Sequence, residues 1–186
     1  METGLIAAIV ISAIVLLLIV IWWISTGNRF RQLTVKIDES ESGIDVALTK
    51  RYDTLTKMVD VCKQYAAHER ETFSRIIELR SGMSMSQRCE ASVQMDELKA
   101  RLNVIAENYP ELRSSEQYKE LQLGIRNAEE HLQAARRLHN SNVSTFNQLL
   151  VTFPNSIVGG SMKMQRREFF EAEQHKRQDV DMSKLT

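Results

Sequence analysis

Residues 114–154, SSEQYKELQLGIRNAEEHLQAARRLHNSNVSTFNQLLVTFP, decide the fold. Tyr118, Leu121, Ile125, Ala128, Leu132, Ala135, His139, Val143, Phe146, Leu150 and Phe153 recur close to every 3.5 residues, the period that keeps one face of a helix apolar. Pro154 closes the run, because proline lacks an amide hydrogen and clashes with the preceding turn. At the other end Ser114 and Gln117 have the spacing of a capping box, which predicts that the Ser114 hydroxyl accepts from the Gln117 amide. The stretch predicts a single helix of nearly forty residues.

Two further stripes lie upstream. Val93, Met95, Leu98, Leu102, Ile105 and Tyr109 predict a helix capped by Ser84 or Ser86 and ended before Pro110. Ile44, Leu48, Tyr52, Leu55, Val59, Cys62, Ala66, Phe73 and Ile76 predict a longer one, weakest at Ser40–Gly43, that reaches Leu79 and stops at Ser81–Gly82. Two prolines and seven glycines in 186 residues leave little to interrupt helices.

Residues Leu5 to Ile24, LIAAIVISAIVLLLIVIWWI, form twenty uncharged positions, a helix of about 30 Å that matches a bilayer core. Trp22 and Trp23 stand where an interfacial belt anchors such a helix. A cleaved secretory signal has a basic leader and a shorter apolar core, whereas this run follows Glu2 and is longer, so a retained anchor is expected. Arg29, Arg31 and Lys36 behind it predict an outside N-terminus and a cytoplasmic remainder, at the inner membrane.

The expected fold is all-α: an N-terminal transmembrane helix continuing into an antiparallel bundle of three long helices, plus a short C-terminal helix. Residues 1–26 form the anchor, 27–153 the bundle, and 154–186 a tail. In the tail Ile157–Gly160 is expected as a flexible apolar connector and MKMQRREFFEAEQHKR, 162–177, as the short helix. That helix has two candidate sites, the membrane surface or the bundle. Strict alternation of the three helices would leave residue 154 far from the membrane, which favours the bundle. Leu33, Ile37 and Ile44, close to the anchor, are expected to lack an intramolecular partner and so to point to self-association or a partner helix.

Lys plus Arg equals Asp plus Glu at 24 each, so no net field draws the chain onto nucleic acid or an anionic surface. Cys62 and Cys89 are too few for a disulfide framework and fit a reducing compartment, with Cys62 on the apolar stripe as packing. No H-E-x-x-H pair, phosphate loop or G-x-G-x-x-G is present. Tyr65, Ala128, Arg136 and Ala172 stand three before the four histidines, so the Glu-x-x-His pairs of a di-iron bundle are missing. No catalytic residue, metal ligand, cofactor or small-molecule substrate is expected.

IDVALTKRYDTLTKMVDVCKQYAAHE, residues 44–69, resembles the opening soluble segment of LemA-family proteins. LNVIAENYPELRSSEQYKELQ resembles a second family block, and Ala135-Arg136, His139-Asn140, Phe146-Asn147, Phe153-Pro154 and Arg167–Phe170 follow in family order. Thr56, Lys57 and Gln64 replace the family's usual proline, asparagine and glycine, so a family kink is expected to be absent. The resemblance implies a membrane-anchored helical bundle with no established enzymatic activity; relatives include a magnetosome membrane protein linked to membrane shaping, and others lie beside membrane proteases or envelope-stress genes.

The functional expectation is a non-catalytic scaffold or oligomeric organiser in membrane remodelling or envelope organisation, with the bilayer, further copies or other membrane proteins as partners. The alternative is an adaptor or regulator of a membrane enzyme such as a protease. Arg51 and Asp53 border the apolar stripe as a candidate partner-binding edge; an interhelical salt bridge or a solvated face is the competing and favoured account of the same pair.

Overall fold

The computed structural model describes residues 2–66 and 82–171. Among them lie five helices and no strand: α1 (Glu2–Tyr65), α2 (Met85–Asn108), α3 (Pro110–Ser114), α4 (Glu116–Val151) and α5 (Asn155–Ser161). The all-α expectation holds. α1 passes through Ser40–Gly43 without a break and ends at Tyr65. Phe73, Ile76 and Leu79, the expected end of that helix, lie outside the described residues.

The predicted punctuation is local and mostly found. Ser84 caps α2: its hydroxyl accepts from the Gln87 amide at 3.3 Å, and the Gln87 side chain accepts from the Ser84 amide at 2.8 Å. Pro110 starts α3, where its missing amide hydrogen costs nothing. The cap of α4 falls one residue later than expected. Ser115, not Ser114, accepts from the Tyr118 amide, while the Ser114 hydroxyl turns back to the Glu111 carbonyl and closes α3.

The chain divides into two compact units. In the first, residues 1–39 and 141–167, the end of α4 packs antiparallel on α1: Asn142 donates to the Lys36 carbonyl at 3.1 Å, and Phe30 meets Phe146 edge to face at 5.7 Å. Leu33, Ile37, Val143, Leu149 and Val158 complete this core, with Trp22, Met162 and Met164 half-buried against it. Leu33 and Ile37 therefore have intramolecular partners, contrary to expectation, because α4 returns along α1 and α5 folds over it. The expected flexible connector is the helix α5, with Val158 and Gly159 buried. A Cβ at Gly159 would come within 2.7 Å of Leu150 and 3.1 Å of Phe30, so glycine permits the contact. The short helix expected over 162–177 is not formed across 164–171, which are irregular; 172–177 lie outside the described residues.

In the second unit, residues 40–140 and 168–186, Ile44, Leu48, Leu55, Met58 and Cys62 of α1 pack with Met95, Leu102 and Ile105 of α2 and Ile125 and Leu132 of α4. Ile44 is thus covered as well. Arg88 pairs with Glu41 and Asp45, and Arg51 with Asp96, so α2 runs parallel to α1. α4 runs antiparallel to both: Lys99 pairs with Glu129, Asn103 accepts from Gln122, and Gly124 approaches Thr54. The expected strict alternation fails at its first step, because the Arg88 and Arg51 ion pairs hold α2 parallel to α1; the expected turn at Ser81 lies outside the described residues. Consequently residue 154 belongs to the unit that contains the apolar run, not to a distant end.

Candidate functional site

Burying an arginine demands carboxylates and carbonyls around it, since an unpaired cation in a core is costly. Arg51 sits at 2% exposure in the second unit, at the position that follows Leu48 by three and precedes Leu55 by four, which is the core-facing line of α1. Its guanidinium donates to Asp96 at 2.5 Å, to Glu129 at 3.2 Å, and to the carbonyl and hydroxyl of Ser92 at 3.3 and 3.4 Å. Lys99 holds the same Glu129 at 2.8 and 3.0 Å. One buried cation thus ties α1, α2 and α4 together, with only its Nε unpartnered.

A second cation repeats the device. Arg88 forks onto Asp45 at 2.6 and 2.8 Å and reaches Glu41 at 3.1 Å. The Asp45 hydrogen bond, first among several causes, raises the Arg88 pKa further above its ordinary value, so the charge is permanent.

Of the two residues expected to border a partner edge, Arg51 is an interhelical ion pair and Asp53 lies on the exposed face, so the two are not brought together. Trp22 is half-buried on the first unit's core, Trp23 is exposed, and their rings meet edge to face at 6.4 Å. Leu5 and the aliphatic residues up to Ile24 are exposed, so that of this span Trp22 alone is half-covered by protein among the described residues. This helix is a candidate membrane anchor by length and composition.

The segment after α5 is held by amide clamps that sequence reasoning missed. Asn147 donates to the Arg167 carbonyl and accepts from its amide, both at 2.9 Å. Asn140 does the same for Phe170 at 3.2 and 2.8 Å, and Phe170 is buried in the second core. Buried His139 lies between the Ser40 hydroxyl at 3.3 Å and the Glu168 carbonyl at 3.2 Å. A carboxamide carries a donor and an acceptor side by side, as a peptide does, so each clamp imitates one rung of a strand pair. The described part of the tail docks on helices; His68, Glu69 and His175 lie outside the described residues.

Burial pushes the Cys62 thiol up to about 11, and raises Cys89 and Tyr118 in the same direction. Among the described residues no group of three or more His, Cys, Asp or Glu converges to hold a metal. A surface groove lined by Ile21, Ile24, Ser25, Asn28, Arg29 and Gln32 follows α1 alone.

The LemA family pattern matches residues 40–183, and Protein LemA of Metamycoplasma hominis is 30% identical over 155 residues, 81% of this chain and 71% of that protein. The chain belongs to the LemA family. The LemA match opens at Ser40, where the second unit also begins, and so takes in both arginine networks and both clamps. LemA proteins are not known as an enzyme family.

Proposed function

We propose that this LemA-family chain is a membrane-anchored, non-catalytic helical scaffold that organises copies of itself or other membrane proteins at the bacterial cytoplasmic membrane. One observation carries it: within the single helix α1, an uncovered apolar run of bilayer length is followed by a stripe that forms the core of the family segment. An anchor without an intervening linker is suited to holding a bundle at the membrane, and the two buried arginines spend their charge on internal carboxylates. The three basic residues behind the run support an outside N-terminus with the units in the cytoplasm.

Crosslinking in native membranes followed by mass spectrometry tests this. Large assemblies of the chain with itself, or with several membrane proteins, support the scaffold. A discrete complex with one membrane protease would replace it with an adaptor. Labelling single cysteines at Glu2 and Lys163 with an impermeant reagent in intact cells checks orientation; modification at position 163 would invert it.

A further inference from the structure

The chain is neutral overall, but its charge is divided unevenly. On the water side of the span, the first unit carries Arg29, Arg31, Lys36, Lys163, Arg166 and Arg167, all exposed, against Asp38 and Glu39, a net charge of +4. From Ser141 to Arg167 there is no acidic residue at all. In the same unit, the turn between α4 and α5 exposes Val151, Phe153 and Ile157, with Phe153 77% exposed.

The packing of this unit fixes the depth of that turn. Protein covers α1 only from Trp22 onward: the side chains before it are exposed, Trp22 is half-buried, and Thr26, Gly27 and Phe30 are buried. α4 descends α1 from Lys36 to Phe30 between Asn142 and Phe146, and five more residues, about 7.5 Å of helix, bring it to Val151. Past the turn, Gly159 lies against Phe30 and Met162 against Gly27. With Leu5–Ile24 in hydrocarbon, Trp22 marks the bilayer interface, and the turn meets that layer. On α1 itself, the groove of Ser25, Asn28, Arg29 and Gln32 adds polar donors directly behind Ile21 and Ile24.

We infer that the α4–α5 turn is a second membrane contact: Phe153, flanked by Val151 and Ile157, enters the headgroup–acyl boundary of an anionic leaflet, and Arg29, Lys163 and Arg166 hold lipid phosphates around it. The occupant is lipid because α4 carries the exposed apolar turn down to the level where the bilayer span ends, in a unit whose charge on the water side is mostly basic, the combination found in interfacial segments. The inference rests on the anchor proposed above. It also departs from the expectation that no net field draws the chain onto an anionic surface, which followed from the chain's total charge and not from its distribution.

The test uses the full chain with Cys89→Ser and Phe153→Cys, labelled with an environment-sensitive fluorophore and reconstituted into vesicles rich in phosphatidylglycerol or made of phosphatidylcholine alone. Leu138→Cys, an exposed apolar site of the other unit, is the reference. Shallow nitroxide lipids should quench the label at position 153 several-fold more than at 138, and more in anionic than in neutral vesicles, with Lys163→Glu/Arg166→Glu removing that difference. Equal quenching at 153 and 138 overturns the contact, and equal quenching in both lipids overturns its headgroup component. A blue-shifted label that lipids do not quench means that a second copy covers the turn, which also overturns it. Alkaline extraction is run on every sample: loss of the chain from the vesicles would sink the anchor itself, whereas a retained chain with a wet label sinks only the second contact.

Discussion

Arg51 and Glu129, 78 residues apart in sequence, lie 3.2 Å apart, and the same guanidinium also reaches Asp96. Two carboxylates share one buried cation, so removal of either leaves the other. Asp96→Ala and Glu129→Ala are each expected to cost about 1 kcal/mol, since both carboxylates are partly solvated. The double variant strands Arg51 without a counter-ion and should cost about 1 to 3 kcal/mol more than the sum. Urea unfolding followed by circular dichroism measures the four corners of the cycle, and simple additivity would refute the shared role.

Gly159 and Gly160 are neighbours with opposite surroundings. Gly159→Ala forces a methyl against Leu150 and the immobile Phe30 ring and should destabilise the first unit by about 1 to 3 kcal/mol. Gly160→Ala meets nothing within 4 Å and, in a helix, should be neutral or slightly stabilising. Thermal unfolding of the two variants side by side checks the contrast.

The asparagine clamps need both halves of the carboxamide. Asn140→Asp keeps the acceptor for the Phe170 amide but turns a lone pair toward the Phe170 carbonyl, so it should loosen the segment about as much as Asn140→Ala, by roughly 1 to 3 kcal/mol. Faster hydrogen exchange at the Phe170 amide would register the loss. Asn147→Asp should act in the same way at Arg167.

Cys62 is fully buried, and its thiol is raised from 9.0 to about 11. Below pH 9 folded and unfolded chains are both protonated there. Between pH 9 and 11 the unfolded thiol ionises first, so stability should fall as pH rises through that window. Cys62→Ala should flatten that part of the pH profile of unfolding, and at neutral pH a thiol reagent should modify half-buried Cys89 well before Cys62.

Periodicity disclosed the helices because it records which side of each helix loses water. It was less informative about Arg51, which occupies the same line as Ile44, Leu48, Leu55, Met58 and Cys62 at alternating spacings of four and three. That register was visible, but a charged residue in it is ordinarily assigned to the border of a stripe. The parallel order of α1 and α2 was not legible, because apolar stripes say that helices pack and not in which direction; ion pairs such as Asp45 with Arg88 carry that information. The clamps were also hidden. His139-Asn140 and Phe146-Asn147 stand out as pairs, yet nothing local to them names Glu168, Phe170 or Arg167 as the backbone they hold.

The partners of Arg51 also set an order of events during synthesis. The apolar run leaves the ribosome first, and Arg51 follows soon after, but Asp96 and Glu129 are made only later. Until then the cation that will end in the core lacks the two carboxylates that hold it there, so its stretch of α1 waits in solvent. With the anchor proposed above, the bundle would be completed by a chain tethered at its beginning, and each new molecule would finish folding at the membrane surface.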